Sequence, residues 1–296
     1  MIIIILKTKL YVKDGLAGLL AIVLLAVFSL SSRASDLCFQ NIRAENSPLS
    51  INDIWAIEQD SQGFVWIGTA EGLHRYDGRR FHIYDKTSPG LPSSFIVSLM
   101  PDEGGMWIGT DCGVAYYNRA LDRIEHFNRK SDVGTSITGK ATVITRDNHG
   151  AVWFAVNEQG VFRYDPANGT LVNYFGMADN KLPANVRTIY FYPDGRCLLG
   201  LYYMGLYAVD WGHQTLDKLP YFDGDNIVGI LPGASGSVFS LSPSRGLVMI
   251  DSEGVPQPIF RPEGDFEPNS LSADSNYNLW LSTLEGAYRY NRLTGD

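Results

Sequence analysis

Gly63-Phe64-Val65-Trp66-Ile67-Gly68-Thr69, then two residues, then Gly72-Leu73-His74-Arg75-Tyr76-Asp77 is the stretch that decides the fold. Two short apolar runs rich in aromatic and β-branched residues, each opened by glycine, read as neighbouring strands of a hairpin. Upstream, Ile54 to Asp60 supplies an earlier strand and Asp60-Ser61-Gln62-Gly63 a tight turn; downstream, Phe81 to Asp85 supplies a fourth strand.

The same unit recurs along the chain. Trp107-Ile108-Gly109-Thr110 with Gly113-Val114, and Trp153-Phe154-Ala155 with Gly160-Val161-Phe162-Arg163-Tyr164-Asp165, repeat its centre. Leu198 and Phe239 then take the tryptophan position, and Trp280-Leu281-Ser282-Thr283 with Gly286-Ala287-Tyr288-Arg289-Tyr290 restores it. The marker positions 66, 107, 153, 198, 239 and 280 lie 41, 46, 45, 41 and 41 residues apart. Four apolar runs in a period of about 40–45 residues match one four-stranded propeller blade, and a helical repeat would show a 3.6-residue pattern instead. The expected fold is an all-β propeller of about six four-stranded blades, with repeats starting near 49, 91, 137, 182, 226 and 269. It forms either a closed six-bladed ring or part of a seven-bladed one. The sixth copy stops after its third strand, and Leu37 to Ile42 reads as a fourth strand able to complete it.

Lys7, Lys9 and Lys13 precede an apolar run from Leu16 to Leu30 and small residues up to Ala34, a secretory leader pattern over residues 1–34. Cleavage near Ala34 and retention as an anchor are the two alternatives. The formal net charge is −8, and removal of the leader takes away four cations and one anion, leaving the rest more acidic still. With no basic cluster, nucleic acid is not an expected partner. The three cysteines, Cys38, Cys112 and Cys197, occupy unrelated places in the repeat and give no disulfide framework. The five histidines show no metal-ligand spacing, the Asp-rich turns lack the further carboxylates of a calcium loop, and no phosphate-binding loop is present, so neither metal nor cofactor is expected.

In a propeller, the loops between second and third strands share one face with the connections between blades. That face should carry Asp53, Glu71, Asp111, Asn157, Glu158, Asn185, Arg187, Tyr202, Tyr203, Arg245 and Glu285, with Asn52, Lys140 and Asn226 beside them. Amides, carboxylates, a few cations and tyrosines could hydrogen-bond hydroxyls and stack on sugar rings. This mixture suits a neutral or basic oligosaccharide better than an acidic polymer. Trp55, on an innermost strand, is expected in the core or lining the channel. Solvated loops are the plain alternative for each position.

The segments 63–69 and 72–78 resemble the repeat of the two-component regulator propeller family, and the resemblance extends over roughly 37–296. It implies an extracytoplasmic, ligand-sensing propeller of a signal-transduction receptor, recognising an oligosaccharide or other small ligand. A periplasmic location, homodimerisation and N-terminal placement within a longer receptor follow from the same resemblance. Membrane attachment would come only through the leader or a downstream region, and kinase or cyclase activity would lie outside these residues, so the chain itself is read as no enzyme. The alternatives are an exported protein-interaction scaffold and a glycan-active lyase or glycosidase.

Overall fold

Each repeat folds as an antiparallel sheet whose strands pair in chain order. The computed structural model describes residues 42–177 and 180–295, and residues 43–296 form one compact unit. The leader over 1–34, Cys38 and, apart from Ile42, the strand expected over 37–42 lie outside the described residues. Blade one comprises Ile54–Gln59, Val65–Thr69, Gly72–Tyr76 and Phe81–Tyr84. Blades two to five repeat the four-stranded pattern, running from Ile96 to His126, Ala141 to Tyr174, Val186 to Lys218 and Gly229 to Phe260. Blade six has three described strands, Pro268–Ala273, Asn278–Thr283 and Ala287–Asn291. The fold is the six-bladed propeller that the repeat spacing implies. One element escaped that reading, a short hairpin pairing Gly176 with Lys181 after blade three.

In blades two to five the second strand is flanked by neighbours on both faces, so it reads as an unbroken buried run. Gly105–Thr110, Val152–Val156, Cys197–Leu201 and Val238–Ser242 are buried throughout. Residues at the marker position reach across to the next blade. The Trp66 ring lies 4.8 Å from Tyr117, Trp107 5.3 Å from Phe154 and Trp153 5.0 Å from Phe191. Leu198 packs with Val238 and Val248, and Phe239 with Leu279 and Leu281. A small residue where the next inner strand approaches is equally necessary: a Cβ on Gly68 or Gly200 would stand 2.6 Å from Cγ2 of Ile96 or Ile227.

Each marker tryptophan is also hydrogen-bonded to the aspartate that opens its own hairpin turn. Asp60 Oδ1 accepts the amides of Gln62 and Phe64, and its Oδ2 accepts the Trp66 indole N–H at 2.9 Å. Asp147 and Asp274 repeat all three bonds, with indole distances of 2.8 Å to Trp153 and 2.9 Å to Trp280. Asp102 holds Trp107 at 3.2 Å. The turn aspartates are therefore structural, as their sequence context implied. Burial pushes the Asp147 carboxyl up, but the Trp153 indole, the turn amides and Arg163 together hold it below the usual carboxylate range.

Five junctions between successive blades carry buried clusters; among the described residues none of those clusters spans blades six and one. Ile57 on the inner strand of blade one is accordingly 60% exposed, and Trp280 is only half-buried. The outer part of that face of blade one is covered locally. Leu49 is buried, and the Ser50 amide donates to Nε2 of the fully buried His74 at 3.1 Å.

Two outcomes are expected. Asp60→Ala leaves a buried indole N–H and two turn amides without their acceptor, and should cost about 3 kcal/mol in urea unfolding. Asp251→Ala, which removes only the turn-amide bonds to Glu253 and Val255, should cost about 1 kcal/mol or less. The second outcome concerns pH. Burial holds the His74 imidazole below its ordinary value of 6.5, so the fold favours the neutral ring. The associated stability is complete above about pH 6.5 and is lost as pH falls below it. Melting temperatures between pH 7.5 and 5.5 should fall more steeply for the native chain than for His74→Gln.

Candidate functional site

The innermost strands begin with a common irregularity. In blade one, Ile54 pairs with Thr69 and Ala56 with Gly68, leaving Trp55 as an extra residue. Val97, Thr142, Arg187 and Asn269 are the corresponding extra residues of blades two, three, four and six. In blade five, Val228 donates its amide to Leu241 O while Gly229 pairs with Leu241, so two residues again oppose one. A β-bulge of this kind bends the strand and re-aims one side chain.

The re-aimed side chains meet. Trp55, Val97, Thr142, Arg187, Val228 and Asn269, one from each blade, line a single cavity of about 530 Å3 together with Asp53, Ile54, Lys140 and Leu284. Contributions from all six inner strands place this cavity at the propeller axis. Its volume falls in the range of about 300–1,000 Å3 typical of small-ligand sites. On one side Trp55 meets Phe95 edge to face at 5.0 Å and donates its indole N–H to Asp53 at 3.1 Å. Lys140 Nζ lies 4.4 Å from the Trp55 ring centroid and 5.1 Å from that of Phe95. Arg187 stands 5.9 Å from the Tyr202 ring centroid.

Backbone bonds fasten the loops to this mouth. Asp111 donates its amide to Phe95 O, Asn157 to Lys140 O and Tyr202 to Asn185 O. The loops and the interblade connections therefore share one face, as expected. The buried Oδ1 atoms of Asp111, Asn157 and Asn226 accept no hydrogen bond among the described residues. An unpaired buried acceptor is costly.

Of the residues named from sequence, Asp53 and Arg187 line the axial cavity, with Lys140 beside them, and Tyr202 borders Arg187. Trp55 is channel lining and 44% exposed. Glu158 and Asn185 share a separate cavity of about 290 Å3 between blades three and four, with Phe175 and Leu182. Glu285 lines a third, of about 90 Å3. Glu71 and Arg245 are exposed loop residues outside these cavities, Arg245 stacking on Tyr221 at 4.8 Å. Val97, Thr142, Val228 and Asn269 were not named. The sequence held one signal for them: a position eleven residues before the marker, ten in blade two, that reads Trp, Val, Thr, Arg, Val, Asn while its surroundings repeat.

Residues 48–71 and 90–112 match the two-component regulator propeller family. Over 277 residues the chain is 23% identical to Histidine kinase P4 of Formosa agariphila, covering 85% of this chain and 20% of that protein. It superposes on the crystal structure of the extracellular domain of BT4673 of B. thetaiotaomicron with a TM-score of 0.70 and 25% identity, covering 83% of this chain and 36% of that one. BT4673 is described both as a one-component and as a hybrid two-component system. The extracellular domain of BT3049 from the same organism shares the fold, with a TM-score of 0.60 at 20% identity, covering 85% of this chain and 41% of that one. The chain thus spans about a fifth of the kinase and about a third of the BT4673 domain.

Tyr203 combines 59% exposure with a φ of +53°, a backbone region that costs a bulky L-residue energy. Tyr203→Asn should leave stability in urea unchanged or raise it by up to about 1 kcal/mol.

Proposed function

We propose that this chain, two stretches of which match the two-component regulator propeller family, is the extracytoplasmic ligand-sensing propeller of a signal-transduction receptor, and that its axial cavity binds an oligosaccharide. The observation that carries the reading is the bulge ring: every blade sends the extra residue at the start of its inner strand to the same cavity. A scaffold has no need of such convergence, since its partner would rest on the outer loops. The ring combines an indole edge, aliphatic surface, an amide, a hydroxyl and cations. Sugar rings need this mixture, with apolar surface for C–H faces and polar atoms for hydroxyls.

The relatives support the signalling context, because the curated one is a histidine kinase and the solved ones are extracellular domains of sensor systems. The leader pattern over 1–34 agrees with export. Within these residues the propeller receives a signal and leaves output to other parts of a receptor.

The test uses the position of Trp55. Of the six tryptophans in the chain, Trp55 alone is exposed among the described residues, at the cavity mouth. Titrating a saccharide panel should change its emission for the cognate class, and the change should vanish in Trp55→Phe. The same ligand at a hundredfold excess over Kd should stabilise the fold by about 2.7 kcal/mol. If no saccharide alters either emission or unfolding midpoint, oligosaccharide sensing at this cavity is wrong.

A further inference from the structure

From the charges at the axial cavity we infer that its ligand is an anionic saccharide, whose carboxylate or sulfate group is held between Lys140 and Arg187. This rests on the sensing reading above and adds the ligand's charge. The chain carries a formal net charge of −8, yet two of the ten residues lining the cavity are cations and one is a carboxylate. Neither cation makes an ion pair among the described residues. Arg75, Arg146 and Arg163, on the flanks of the blades, each find an aspartate.

Lys140 and Arg187 are instead kept company by aromatic rings, those of Trp55 and Phe95 for the first and of Tyr202 for the second. A cation–π contact is weaker than a charge-assisted hydrogen bond, so each side chain has a reason to turn toward an incoming anion. The lining carboxylate, Asp53, already accepts the Trp55 indole N–H, which fixes it on the aromatic side. Asp111, whose amide donates to Phe95 O, does not line the cavity.

The two cations reach the cavity from blades three and four, and the Lys140 ammonium borders the Trp55 ring itself. A sugar ring lying beside Trp55 would carry an acidic substituent within reach of Lys140. Loop composition alone had suggested a neutral or basic ligand. The groups that reach the axis have the opposite balance, because most of the acidic loop residues, Glu71, Glu158 and Glu285 among them, do not line this cavity.

Isothermal titration of the full chain with three probes tests this: a galacturonic acid trimer, a galactose trimer carrying sulfate esters and no carboxylate, and neutral galactotriose. At least one acidic probe should bind about tenfold or more tightly than the neutral one, and which acidic probe wins distinguishes carboxylate from sulfate. Lys140→Gln and Arg187→Gln should each weaken that binding about tenfold with unchanged melting temperature, and raising NaCl from about 0.05 to about 0.5 M should weaken it further. Equal binding of galactotriose would overturn the inference and leave the sensing reading standing, as would acidic binding insensitive to both substitutions. Binding of none of the three, together with a blank wider panel, would remove the sensing reading as well.

Discussion

The hydrogen bond from a marker tryptophan to its turn aspartate sets the arrangement on which the other features depend. It joins three levels of structure in one carboxylate: two turn amides close the hairpin, and the indole N–H fixes the ring that fills the next junction. An indole can enter a dry junction only if its N–H has a partner, and the aspartate supplies one from within the same blade. The chain contains its own control. Where the marker is Leu198 or Phe239, which have no N–H to satisfy, the turn position holds Tyr192 or Gly233 in place of aspartate. Aspartate and tryptophan are kept together and lost together, as a buried donor–acceptor pair requires.

From that anchored junction the geometry runs inward. Filling the outer part of the wedge between blades with a large ring demands that the inner part close on small residues, and Gly68, Gly109 and Gly200 stand where the next blade's first strand arrives. Ser98 then donates its hydroxyl to Ala141 O at 2.7 Å, and Thr142 to Val186 O at 2.9 Å, so successive inner strands are tied directly. Strands so crowded at the axis cannot all continue in regular register. The bulge at the start of each relieves the crowding and turns one residue per blade toward the channel. Packing fixes where that residue points and leaves its identity free, which is why Trp, Val, Thr, Arg, Val and Asn can occupy one structural position.

This division explains what was legible in the sequence. Repeat length, glycine punctuation and turn aspartates are local consequences of packing, and they reappear in each copy where the same neighbours are present. The drift in blades four and five was readable too, as a substitution of one apolar filler for another. The axial ring was not, because a bulge is a matter of pairing register between two strands and leaves no mark in hydropathy. Asp53 and Arg187 were reached through their loop context. Thr142 and Asn269, on strands that read as ordinary, were passed over. Glu71 and Glu285 were selected by the same loop logic and lie outside the axial cavity, since a position two residues into the loop points away from it.

The junction between blades six and one gives the cavity a further physical property. Trp55, Ile54, Leu284 and Asn269 reach it from the two blades that share no buried cluster among the described residues, whereas Lys140 and Arg187 reach it from blades held by well-packed junctions. Under the sensing proposal, a ligand touching both groups would add contacts between two blades that share no buried cluster among the described residues, so part of its binding free energy would favour one spacing of those two blades over others. Differential contact of this kind is what a receptor needs in order to convert occupancy into a change of shape.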